Sequence, residues 1–249
     1  MMLRLALLLV LLALPARGEE VVAALSQNRV SIDTNFDGSE ILVFGAIRRE
    51  SPIPDGDLHV IVTIAGPSDR IVVRRKSRVL GIWVNTEQVL VDRAPAFYAV
   101  ATSGPWEAVL SETEDLRHRV SIPRAIRAVG AEVMDAPNFV DALIRLRLRG
   151  DLYQTNVETV EIAEATLFRT SVALPANLTE GNYTVRFFLT REGRVIDMRE
   201  AVIFVQKVGL ERFLFNLAHE APLIYGLLSI AIAIAAGWGA SAIFRYLRT

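Results

Sequence analysis

Residues 221–244 read APLIYGLLSIAIAIAAGWGASAIF, a stretch without a single charged side chain, and the rest of the chain has to be read around it. A helix over these residues, at about 1.5 Å per residue, is ~36 Å long, enough to cross a hydrocarbon layer of ~30 Å with some tilt. The competing reading is a buried core helix. It is disfavoured by the length of the run and by Tyr225, Trp238 and Tyr246 near its ends, where aromatic rings suit a membrane interface. Arg245 and Arg248 follow the run, whereas the preceding flank mixes Glu211, Arg212, His219 and Glu220. The cationic side is expected to face the cytoplasm, so residues 245–249 form a cytoplasmic tail and everything before Ala221 lies across the membrane. Ala233, Gly237 and Ser241 recur at every fourth position, with Ala236 and Ala240 beside them. One helical face is therefore nearly free of side chains and suited to close packing against another membrane helix.

The N-terminus supplies a matching export signal. Arg4 is basic, Leu5 to Leu14 is unbroken apolar sequence, and Ala16-Arg17-Gly18 is a small-x-small cleavage site, so residues 1–18 read as a signal peptide and Glu19 as the mature start. Removing Arg4 and Arg17, two cations and no acid, takes the formal net charge from −1 to −3. That balance disfavours a nucleic-acid binder, which needs a basic excess to meet phosphates. There are no cysteines, which excludes disulfides, thiolate metal sites and a cysteine nucleophile.

Between signal and span the sequence is punctuated like an antiparallel β protein. Arg29–Asp33 is a short strand candidate, and Thr34–Ser39 a polar turn. Glu40–Ile47 is a nearly continuous apolar run, as expected of a central strand covered on both faces. Leu58–Ala65 places Leu58, Val60, Val62 and Ile64 on one face, and Gly66-Pro67-Ser68-Asp69 turns the chain. Short strands are expected at Ile71–Val73, Val79–Val84, Val89–Val91 and Ala96–Thr102. Segments 106–111, 116–129 and 139–149 have helical spacing, the second interrupted by Pro123 and the third set between Pro137 and Gly150. Alternating strands resume at Thr166–Leu174, from Tyr183, and over Val195–Val205. In LPANLTEGNYTVRFFL (residues 174–189), the Gly-x-Tyr resembles the corner of an immunoglobulin-like sandwich, with Tyr183 tying back to an upstream loop.

The expected fold is thus mainly β, an immunoglobulin-like antiparallel β-sandwich with a short helical insertion and one C-terminal transmembrane helix. Residues 19–104 form its first part, 105–165 the insertion and 166–208 the last strands; two small sandwiches are the alternative. Residues 209–220, with Leu210, Phe213, Leu214 and Leu217 opposite Glu211, Arg212, Asn216 and Glu220, predict a juxtamembrane amphipathic helix, or the first turns of the span.

This combination, and VGLERFLFNLAHEAPLIYGLLSIAIAIAAGWGASAIF (residues 208–244) most specifically, resembles an uncharacterised family of alphaproteobacterial transmembrane proteins with a periplasmic domain and one C-terminal span. The resemblance implies an accessory protein of the inner membrane, associated with permeases of the sulfite-exporter type. It implies no activity.

No catalytic, cofactor or metal site is expected. His59, His118 and His219 stand far apart, and no nucleophile elbow, zinc-protease, phosphate-loop or dinucleotide motif occurs. Glu112, Asp115 and His118 stand close together and read as the solvated face of a short helix. Arg70, Arg74, Arg75, Lys76 and Arg78 are five cations within nine residues. They suit contact with anionic headgroups or an acidic partner, or a charged edge that blocks sheet-to-sheet association. The leading functional expectation is a tethered periplasmic accessory protein without enzymatic activity, in contact with the lipid bilayer and an inner-membrane protein partner. The alternative is a tethered ligand-binding or sensing domain with a pocket between insertion and sheet.

Overall fold

The computed structural model describes residues 19–32, 36, 38–49, 55–128, 135–207 and 210–247. The expected signal peptide, most of the turn after Ile32 and Arg248 lie outside the described residues. The chain divides into a β domain, which ends at Val205, and a second unit made of Ser31–Phe36 and the C-terminal stretch from Gln206.

The β domain is built on two sheets. The first has the order β1 (Glu20–Leu25), β3 (Ser39–Arg48), β10 (Leu167–Leu174), β9 (Glu161–Ala163). The second has β2 (Arg29–Ile32), β12 (Arg194–Lys207), β11 (Gly181–Arg191), β4 (Leu58–Ala65), β7 (Tyr98–Thr102), β8 (Tyr153–Asn156). Early and late strands interleave, since β10 pairs with β3 and β11 with β4, all antiparallel. Only β7–β8 is parallel among the described pairs.

The strand β11 shows why two layers are not the whole molecule. Phe187 faces the first sheet, with its ring centroid 6.2 Å from that of Phe168, while Phe188, its neighbour, points the other way. On that second side lies an outer core of Ile61, Tyr98, Val100 and Phe188 with Val73, Val89, Val120, Phe139 and Leu143. The outer layer comprises the base of a hairpin, β5 (Ser68–Val79) and β6 (Ile82–Pro95), and the helices α1 (Trp106–Val109), α2 (Glu112–His118), α3 (Ile122–Ala125) and α4 (Ala136–Arg149). Sheet alternation then breaks down on the strands covered twice: Val60 to Ile64 and all of β7 are buried.

Several expectations are corrected here. The doubly covered strand is β4; Glu40–Ile47 alternates, with Leu42 and Phe44 exposed, because the first sheet has one face open. The three short strands expected over 71–91 are two long ones. Residues 80–81 are a two-residue turn with both φ positive (51° and 88°), a conformation hard to foresee with Leu at its first position. In place of one helix over 116–129, α2 ends at His118 with Arg119 left-handed (φ 52°) and α3 starts afresh at Ile122, residue 129 lying outside the described residues; residues 153–156 and 161–163 of the insertion are edge strands.

Glu19, 8% exposed, closes one end of the sandwich. It is paired with Arg49, beyond β3 of the first sheet, at 2.6 Å, and with Arg191 at the end of β11 in the second. Tyr183 is buried at the start of β11, and its hydroxyl donates to the carbonyl of Thr179 at 2.7 Å, tying the strand to the preceding loop. The C-terminal helices are α5 (Leu210–Glu220) and α6 (Pro222–Leu247), separated by a break at Ala221 before Pro222. Residues Pro222–Ser241 are, among the described residues, the one segment long and apolar enough to cross a membrane, and none of it is buried against protein.

Candidate functional site

Two surfaces of the β domain stand out. The first is the free end of the β5–β6 hairpin. Its base is anchored by buried Val73, Val89 and Val91. It is also anchored by Arg75, which lies 4.6 Å over the Phe139 ring and is paired with Glu87 at 2.9 Å and with Asp135. The Arg75 hydrogen bond, with help from Asn138, holds the Asp135 carboxyl below its usual range. From Lys76 to Gln88 no residue is buried, so the distal ribbon stands clear of the domain. A two-stranded ribbon has little intrinsic stability in water. This one nevertheless ends in Leu80 (100% exposed), Ile82 (64%) and Trp83 (68%). Leu80 also occupies the left-handed region, at a cost of about 1–2 kcal/mol that no packing offsets.

The five cations singled out in the sequence all lie on β5. Arg75 is committed to the internal pairs just described, and Arg78 donates to the Gly81 carbonyl at 3.3 Å. Arg70, Arg74 and Lys76 point to solvent and have no side-chain partner among the described residues.

The second surface is a cleft of about 850 Å³ between the α2–α3 corner, the root of the hairpin and β11. Its shape depends on a locked turn. Asp115, 5% exposed, accepts from the Val120 amide (3.0 Å), the Ser121 amide (2.7 Å) and the Ser121 hydroxyl (2.7 Å). From the sheet side, Arg186 donates to the carbonyls of His118 (2.7 Å) and Arg119 (3.0 Å) and to the Tyr98 hydroxyl (3.2 Å). Tyr98 in turn donates to the Val120 carbonyl at 2.8 Å, and burial raises its pKa. Most of these bonds satisfy backbone groups left over where α2 ends, and the Ser121 hydroxyl and Tyr98 hydroxyl bonds tie the side chains that make them to one another. Asp115 is therefore a buried structural acceptor, not part of a solvated face; Glu112 is exposed and His118 packs edge-on to Phe188 at 5.7 Å. Two mutual backbone hydrogen bonds, 3.1 and 2.8 Å, fix Arg93 of β6 beside Arg127. The cleft is lined by Arg93, Arg119, Arg124, Arg127 and Arg186 against one carboxylate, Glu200.

Arg93 and Arg186 stand far along the chain from Arg119, Arg124 and Arg127, and only the fold brings the two sets to one cleft. The available signal was residues 116–128, which hold Arg117, Arg119, Arg124 and Arg127 and no acid. Among the described residues no group of acids and histidines is arranged to hold a metal. On α6, Ala233, Ala236, Gly237, Ala240 and Ser241 are all solvent-exposed or nearly so, and a Cβ added at Gly237 would meet nothing within 4 Å.

A family model described as "Putative transmembrane protein (Alph_Pro_TM)" matches residues 20–246, covering the β domain and the apolar helix. The chain belongs to this family. The candidate membrane span Pro222–Ser241 lies within the matched residues. No curated protein matches the sequence. Among solved structures, the sporulation control protein Spo0M of Bacillus subtilis is similar at 9% identity and a TM-score of 0.27, over 76% of this chain. The chain spans 50% of the length of Spo0M. The bacterial hydrophobin BslA is similar at 12% identity and a TM-score of 0.25, over 79% of this chain and 99% of BslA.

Proposed function

We propose that this family member is a non-enzymatic accessory protein of the inner membrane: the β domain lies in the periplasm, α6 anchors it, the tail is cytoplasmic, and it works in contact with a membrane-embedded protein partner. The observation that carries this reading is the hairpin tip. Leu80, Ile82 and Trp83 are large apolar groups on the distal part of the ribbon, which buries no residue, flanked by outward-facing Arg74 and Lys76. Exposed apolar groups rimmed by charge mark an interaction surface. The basic tail beyond the span supports the orientation, and the small-residue face of α6 supports a second contact within the membrane.

The test is a photo-crosslinking residue at position 80 of the full chain in living cells. A discrete protein adduct that disappears in the Trp83→Asp variant is the expected result. Lipid adducts alone, or none while a probe at Ala236 still crosslinks, would remove the hairpin as the partner contact. A ligand-binding domain is the second reading, favoured by the arginine-lined cleft.

A further inference from the structure

We infer that the cleft is a binding site for a small soluble polyanion, such as a compound bearing two or more phosphate or carboxylate charges. Three observations converge. First, the charge is segregated: five arginines line one concavity, and Glu200 is the one carboxylate among its lining residues, in a chain whose acids outnumber its bases. Like charges gathered in a cleft repel one another, and the concavity focuses their field on whatever enters.

Second, the guanidinium groups are available apart from that of Arg186, which is committed to the His118 and Arg119 carbonyls and the Tyr98 hydroxyl. Arg93 and Arg119 have no side-chain partner among the described residues, and Arg124 reaches Glu112 only at 3.9 Å. Several surface arginines elsewhere in the domain are paired, Arg48 and Arg199 with Glu20 and Arg169 with Glu161, although Arg70 and Arg74 on the hairpin are not. Third, the groups are held in place. The left-handed turn that presents Arg119 is fixed from one side by Asp115 and from the other by Arg186, and the two backbone bonds between Arg93 and Arg127 set the opposite wall. A rigid frame carrying free planar donors is what bidentate recognition of an oxyanion needs. One arginine can neutralise a monoanion, whereas this cluster is matched only by a ligand of higher charge. The cleft is separate from the hairpin tip, so the two readings stand or fall apart.

The experiment is calorimetric titration of the full chain, in nanodiscs of phosphatidylcholine, with inorganic pyrophosphate and, for comparison, acetate. Saturable one-site binding of pyrophosphate with a Kd of about 1 mM or tighter, and none of acetate, is expected. Arg93→Gln and Arg119→Gln, exposed changes that leave the fold intact by circular dichroism, each weaken it about tenfold, the loss of one charge-assisted hydrogen bond. Glu200→Gln tightens it, a gain that general damage cannot produce, and Arg169→Gln on the other sheet leaves it unchanged. Non-saturating heats, equal binding of acetate, or an equal loss in Arg169→Gln would overturn the site. Loss of pyrophosphate binding in nanodiscs containing phosphatidylglycerol would overturn the assignment to a soluble ligand, since a lipid headgroup would then be the occupant.

Discussion

Replacing Asp115 with alanine removes the acceptor of three hydrogen bonds at once. The Val120 amide is the costly partner, because Val120 is fully buried and its N–H has no route to water; leaving it unpaired costs about 1–3 kcal/mol. Ser121 is half-exposed and can turn partly to solvent, adding roughly 0.5–1 kcal/mol. A total near 3 kcal/mol lowers the melting temperature of a domain of this size by about 6–12 °C. The assay is thermal unfolding of the β domain within the full chain, followed by circular dichroism in mild detergent. Asp115→Asn, which keeps shape and one acceptor but turns an amide group toward N–H donors, should lose about half as much. Because Arg186 secures the same turn, combining Asp115→Ala with Arg186→Gln should cost less than the sum of the two. A fall below about 3 °C for Asp115→Ala, or strict additivity, would show that the corner is not held as described.

Alkaline pH gives a second test: burial raises Tyr153 and Tyr183 to a pKa of about 12, above the ordinary 10.0. Each therefore contributes stability that is complete below pH 10 and is lost as pH rises toward 12, and Tyr183→Phe should flatten that loss in a pH series of unfolding curves. A Cβ at Gly45 would lie 2.5 Å from the Phe168 ring and 2.7 Å from the Val22 carbonyl, so Gly45→Ala should cost about 1–3 kcal/mol by forcing β1 away, read as a lowered melting temperature. Gly237→Leu keeps α6 apolar and should leave insertion intact while weakening association in a membrane reporter; unchanged association would reduce the span to an anchor. Protease added to spheroplasts should digest the β domain, and N-terminal sequencing should begin at Glu19; a protected domain reverses the topology.

What the sequence determined by itself was whatever depends on local composition and period. A charge-free run of membrane length, an alternating β11 opened by Gly-x-Tyr, and Pro137 with Gly150 around α4 each state their structure within about twenty residues, because the physics behind them is hydrophobic length, side-chain period and backbone stereochemistry. Only the tertiary structure decided which strands are covered twice. Glu40–Ile47 and Leu58–Ala65 are equally apolar, yet only β4 gains an outer layer, from helices some fifty to eighty residues further on. The same holds for Asp115, which local pattern places on a solvated face and the fold buries against Val120, and for the cleft, whose arginines come from β6, the α2–α3 corner and β11. Burial and the meeting of Arg93 and Arg186 with the basic 116–128 segment are properties of distant segments brought together, and no single window along the chain contains the whole of either.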